Sequence, residues 1–275
     1  MRYRKGSIAI NDARDIPLLL LIRDSRAITL QQLYEELFLR HLETSNNSAY
    51  WRLRRLVDKR LIEVLEEADT CGNPVYTITH RGLSLLESKG HSLLSLGSFS
   101  RSVIQESEIP HMTELNSIRI AMLRSSKLVS WKSEMQIVSE NLALFGDVSK
   151  DYDAEIVVKT TIGTARFALE FERTAKSASR YREIREMIDG DSRTNQVLYL
   201  TSAQELLFLL LQELRDTDTP IAFGLAADFK KDILEMPVIV PAKGKVQRMN
   251  LDEFLSTCEK PHRGSFEISK VTAAF

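Results

Sequence analysis

The apolar residues change their spacing part way along the chain, and that change constrains the fold more than any other feature. Up to Leu86 they recur at intervals of three and four, as on one face of a helix. Beyond residue 106, short strand-like runs alternate with helical ones. Between the two patterns lies a stretch rich in Ser and Gly, residues 88–102, which reads as a linker. Two units of different class are therefore expected, at 12–90 and 107–257, with a linker at 91–106 and a loop-like tail at 258–275.

Composition narrows the class. The chain has 275 residues, 43% of them hydrophobic, and 37 basic against 38 acidic side chains, which suits a folded globular protein rather than a disordered one. The longest apolar runs, 16–22 and 206–211, fall far short of the roughly 20 residues a bilayer requires. The basic start of the chain leads into no apolar signal segment. Cys71 and Cys258 alone give neither a disulfide framework nor a cysteine zinc site, so a reduced, cytoplasmic protein with no membrane partner is expected. No Gly-x-Gly-x-x-Gly, Gly-Lys-Ser/Thr or Gly-x-Ser-x-Gly occurs, which argues against dinucleotide binding, nucleotide hydrolysis and a hydrolase serine. Residues 1–105 carry 15 basic and 12 acidic side chains, a net +3, and the remainder carries 22 and 26, a net −4. This asymmetry points to different partners for the two halves.

In the first unit the spacing predicts a helix around Ile16, Leu19, Leu20 and Ile22, then a second one capped by Thr29. After a turn at 45–48 comes a basic helix, in which Leu53, Leu56 and Val57 face inward and Tyr50, Arg52, Arg54, Arg55 and Lys59 mostly outward. A hairpin follows, with strands near 62–65 and 75–79 and a tight turn at 69–74, before another helix from Thr79. Helix, helix, basic helix, two-stranded wing and helix is the order of a winged helix-turn-helix. The strings LVDKRLIEV (56–64) and PVYTITHRGLSLL (74–86) resemble the second half of bacterial winged-helix regulators. The expected contacts to double-stranded DNA are Asn46, Asn47, Ser48, Tyr50, Trp51, Arg52, Arg54, Arg55 and Lys59 on the helix, with Asn73 and Tyr76 on the wing. A plain solvated basic face, with Tyr50 and Trp51 in the core, is the competing reading.

In the second unit a helix is expected at 113–124, capped by Thr113, with strands at 129–138, 154–159, 166–172, 196–201 and 221–225 and helices at 175–188 and 203–215. The 203–215 helix is apolar nearly all round, which suits a core helix or a homodimer interface. Along 166–172, Phe167, Leu169 and Phe171 point one way and Ala168, Glu170 and Glu172 the other. A hairpin across 160–165 would bring Asp153 beside Glu170, and grouped carboxylates of this kind suit Mg²⁺ or Mn²⁺. The alternative is a salt-bridge strip with Arg166, Arg173 or Arg180. His111, Glu114 and Glu134 are further candidates.

This layout is similar to the PD-(D/E)xK nuclease superfamily, an α/β restriction-endonuclease-like fold. The likeness implies Asp153 and Glu170 as metal ligands. Glu172 stands where that pattern has Lys, and Lys176 or Lys159 is the candidate replacement in catalysis. The chain as a whole resembles the replication-relaxation proteins of plasmids and other mobile elements. The resemblance rests on HMTELNSIRIAML (111–123), SWKSE (130–134), YDAEIVVK (152–159), FALEFERTAKSASRYREI (167–184) and VLYLTS (197–202). It implies a winged helix joined to a nuclease-like domain, and work on an element's DNA in replication, maintenance or transfer beside the element's other proteins. Three functions compete: a DNA-binding protein with a nuclease-like scaffold, a Mg²⁺-dependent endonuclease, and a transcriptional regulator.

Overall fold

The computed structural model describes residues 9–65, 72–94, 104–143, 150–242 and 245–257. The first unit runs α1 (Asp12–Ser25), β1 (Ile28–Thr29), α2 (Leu30–Leu39), α3 (Asn46–Asp58), β2 (Ile62–Val64), β3 (Val75–Ile78) and α4 (His80–Ser88). Its strands form an antiparallel sheet in the order β1-β3-β2. The helices begin where side-chain oxygens accept the free N–H groups of a first turn. Thr29 caps α2 in a reciprocal box with Gln32, Ser45 accepts from the Ser48 N–H, and Thr79 accepts from that of Gly82. Helix α4 approaches so closely that a Cβ at Gly82 would stand 2.2 Å from the Leu61 carbonyl oxygen, so only glycine fits there.

The second unit runs α5 (Ile109–Arg124), β4 (Leu128–Ser133), α6 (Glu134–Ala143), β5 (Ala154–Lys159), β6 (Thr164–Glu172), α7 (Ala178–Gly190), β7 (Val197–Thr201), α8 (Gln204–Leu214), β8 (Ile221–Leu225), α9 (Ala226–Asp232), β9 (Pro237–Ala242), β10 (Lys245–Asn250) and α10 (Leu251–Ser256). All seven strands join one mixed sheet, ordered β10-β9-β8-β7-β6-β5-β4. Strands β6, β7 and β8 are parallel neighbours, with α7 and α8 as the crossovers such pairs require, and the remaining pairs are antiparallel. Each face of the sheet has its own core. Phe167, Leu169 and Phe171 pack with Ile118 and Phe229, while Ala168 and Tyr199 pack with Tyr181 and Leu210.

Several boundaries differ from the sequence expectation. Helix α5 starts four residues before Thr113, because Pro110 fits a first turn where no N–H is needed. The strand expected over 129–138 stops at Ser133, where the Gln136 side chain accepts from the Ser133 N–H at 2.9 Å and α6 begins. Helix α8 buries Leu206, Leu207, Leu210 and Leu214 but leaves Phe208 exposed. Elements α9, β9, β10 and α10 follow Leu225, where periodicity is silent. The tail at 258–275, most of the expected linker and part of the turn at 69–74 lie outside the described residues. Among the described residues no helix is long and apolar enough to cross a membrane.

Side chains stitch the two units together along α5. Asn116 donates to the Ala27 carbonyl at 2.8 Å, and Gln32 donates to the Thr113 carbonyl at 2.6 Å. Arg119 donates to Glu36 at 2.9 Å and to the Ser25 hydroxyl at 2.7 Å. Glu36 is wholly buried and also receives Arg40, so two guanidiniums compensate its charge. A cleft of about 920 Å³ remains between the units, with Arg173, Ser202 and Ala226 at the carboxyl ends of β6 to β8 on one wall and Thr29 and Gln31 on the other.

Candidate nucleic-acid interface and acidic site

The β5–β6 hairpin builds the acidic site. Ala154 pairs with Leu169, so the next residues outward, Asp153 and Glu170, stand opposite one another, as the spacing implies. Asp153 accepts the Phe171 N–H at 2.7 Å through Oδ2, and its Oδ1 lies 3.1 Å from His111 Nε2. His111 comes from the first turn of α5 and packs against the Phe171 ring, with centroids 5.5 Å apart. Glu170 is ion-paired with Lys150, a buried lysine whose ammonium also lies 4.5 Å from the Tyr152 ring centre. Glu172, also buried, pairs with Lys176.

Of the further candidates, His111 belongs to this cluster. Glu134 stands beside it, held by Arg26 at 3.3 Å, and Glu114 instead pairs with Lys230 at 2.5 Å. Lys159 pairs with Thr164 at the far end of β5, six residues from Asp153 and so roughly 20 Å away. The alternative, an arginine strip on Glu170 and Glu172, does not form, since Arg166 holds Glu155 and Arg180 holds Glu183. Lys150 escaped the sequence reading because it precedes β5 outside any periodic run. Its only signal is a lysine three residues before Asp153.

The electrostatics follow from burial. The Glu170 carboxyl is pushed up to about 7 by burial, against the pull of Lys150 and with the help of Asp153. Burial opposes the charged form of His111, but the hydrogen bond and charge of Asp153, with Glu134 and Glu170, outweigh it and raise the imidazole above its ordinary value. Burial also raises Glu134, against Arg26. Tyr199, opposite Glu170 in the sheet, is raised well above the phenol range by burial first and by Glu170 next. Its hydroxyl has no hydrogen-bond partner among the described residues. The cluster therefore changes charge near neutral pH.

A divalent cation of the Mg²⁺ or Mn²⁺ type needs several oxygens converging on one point. Here Lys150 occupies Glu170, Lys176 occupies Glu172, and His111 and the Phe171 N–H occupy Asp153. Among the described residues no three His, Cys, Asp or Glu side chains converge. As these side chains stand, the site does not fit such an ion.

The expected DNA-contacting set divides into two. Asn46, Asn47, Tyr50, Trp51 and Arg54 are exposed, and Ser48 and Lys59 are half-buried. Trp51 is 63% exposed, meets Tyr50 edge-on at 5.7 Å, and carries the Arg54 guanidinium 5.5 Å from its ring centre. Arg52 is a correction: it is 4% exposed, ion-paired with Glu43, and donates to the Arg14 carbonyl at 3.0 Å. Arg55 likewise turns inward, to Asp15 at 2.6 Å. The spacing explains Arg52, which falls on the buried stripe of Ala49, Leu53 and Leu56, where the fully buried Asp15 of α1 requires a cation. Tyr76 is also corrected, because β3 is the central strand and its side chain lies in the core. Asn73 is half-buried and lines the cleft between the units.

The chain matches the replication-relaxation family over residues 19–197, from within α1 to the first residue of β7, and so across both units. No curated protein and no solved structure matches it. With well over half of its length matched to that one family, this chain belongs to the replication-relaxation proteins.

Proposed function

We propose that this protein binds double-stranded DNA in the replication, maintenance or transfer of a plasmid or other mobile element. In this reading its first unit is a winged helix-turn-helix and its second a nuclease-like scaffold that does not cut. The observation that carries the reading is the solvent face of α3, where Trp51, Tyr50 and Arg54 stand exposed beside the polar Asn46 and Asn47. An aromatic–guanidinium pair on a helix surface suits a partner that offers both flat apolar edges and phosphates. The element order and the β1-β3-β2 sheet support the winged-helix assignment. For the second unit, the order α5, β4, β5, β6, α7, β7, with α6 inserted and β6 parallel to β7, supports a PD-(D/E)xK-like fold. The lysines seated on Glu170 and Glu172 favour a scaffold over cleavage.

The test is titration of fluorescent duplex DNA with the full chain and with a Trp51→Ala/Arg54→Ala variant. Binding weaker by roughly tenfold or more, with an unchanged circular dichroism melt, is expected, and equal affinity would sink the α3 interface. Supercoiled plasmid incubated with Mg²⁺, Mn²⁺ or EDTA should stay intact. Metal-dependent nicking that vanishes in Asp153→Ala/Glu170→Ala would replace the scaffold with an endonuclease.

A further inference from the structure

Residues 173–185 hold five cations, Arg173, Lys176, Arg180, Arg182 and Arg185, against one carboxylate, Glu183, in a chain whose net charge is −1. They run from the carboxyl end of β6 through the first turns of α7. Helix α7 buries Tyr181, Ile184 and Ile188, and this stripe turns the arginines away from the core. Arg173, Arg180 and Arg182 are exposed. Arg180 meets Glu183 at 2.7 Å with both side chains more than half exposed, a pair that solvent screens to little effect. Among the described residues no carboxylate pairs with Arg173, Arg182 or Arg185. Among the described residues the strip thus keeps three arginines, Arg173, Arg182 and Arg185, without a carboxylate partner between the flanking Glu172 and Glu186. The positive end of the α7 dipole beneath it adds to the repulsion instead of relieving it. It starts at Arg173, on the wall of the cleft, and passes the Glu172–Lys176 pair.

We infer that this strip is a second DNA-binding surface, which grips the phosphate backbone of a duplex without reading its bases. The inference shares its partner class with the function proposed above but not its residues. Free arginine forks suit phosphate oxygens, and helix α3, with Arg52 and Arg55 turned inward, has fewer of them to offer than α7. The neutralisation of each phosphate releases counterions, so the strip makes binding steeply dependent on salt and indifferent to sequence.

The experiment measures the affinity of the full chain for two unrelated 30-base-pair duplexes across a salt series. It is repeated with Arg173→Gln/Arg180→Gln/Arg182→Gln, with the same three positions changed to Lys, and with Trp51→Ala/Arg54→Ala. Lys176 is left in place, because it covers Glu172. For the glutamine variant the slope of log K against log salt should flatten by about 0.9 per lost contact, and so by roughly 2.7 in all, equally for both duplexes. The lysine variant should keep most of the slope, which a folding defect would not allow. A glutamine variant with wild-type affinity and slope overturns the strip, even if the α3 variant binds weakly. The reverse pattern, with loss at α7 and none at α3, sinks the α3 interface and leaves the strip standing. A wild-type chain that binds neither duplex at low salt overturns both.

Discussion

Arg52 in the first unit and Lys150 in the second are buried cations held against carboxylates, at 4% and 7% exposure. Their partners differ in kind. Arg52 sits among Glu43, Asp15 and a backbone carbonyl, and a guanidinium keeps its proton at any pH a folded protein survives. Lys150 faces Glu170, whose carboxyl titrates near 7, with the Asp153–His111 pair close by. The first cluster clamps α1 to α3, whereas the second can gain or lose a proton under physiological conditions. Burial alone separates nothing here; the titratability of the partners does.

Five substitutions put that contrast to the test, and the largest effect is expected at Arg52. Arg52→Met removes the buried cation from Glu43, leaving it the half-exposed Arg14 while Asp15 keeps Arg55, and should cost about 3 kcal/mol at any pH above the carboxylate range, read by chemical denaturation. Lys150→Met should cost a comparable amount at pH 8 but progressively less at lower pH. Glu170 can then take up a proton: its folded value near 7 lies above the ordinary 4.5, so its own contribution to stability is full below about 4.5 and lost as pH rises through about 7. Equal losses at pH 5.5 and 8 would erase the distinction between the clusters.

A smaller effect is expected at His111. Its folded value is raised, so the stability it contributes is present below the ordinary 6.5 and lost as pH rises through the folded value. The gap between wild type and His111→Gln should narrow over that window. Asp153→Asn should lower the imidazole midpoint seen by NMR, and an unmoved midpoint would remove Asp153 as the cause. Least of all, Tyr199→Phe should be neutral or stabilising by up to about 1 kcal/mol, because it deletes a buried hydroxyl without a partner. A clear loss there would reveal a bond to that hydroxyl.

Local pattern carried some of this and not the rest. The juxtaposition of Asp153 and Glu170 was legible, because a period of two and a short turn set the register of β5 against β6. Strand β8 was legible as an uninterrupted apolar run. Lys150 was not, since no periodicity ties it to a residue 20 positions later. Arg52 was misjudged for the opposite reason: its place on the buried stripe was visible, but the carboxylates that admit it there, Glu43 in the loop before α3 and Asp15 of α1, are brought to it only by the fold. Tyr76 needed knowledge that β3, and not β2, is the middle strand.

The seam along α5 bears on how such a protein can be taken apart and recombined. Ala27, Ser25 and Glu36 of the first unit find their partners in Asn116 and Arg119 of the second. A head exchanged between relatives at the serine-rich connection would leave Glu36 with Arg40 alone and strand two polar groups of α5 against a foreign surface. Because α5 also packs Ile118 into the core of the large sheet and sets His111 on Asp153, a cut after Arg124 would break as much as a cut before Ile109, and head, α5 and sheet are inherited as one piece.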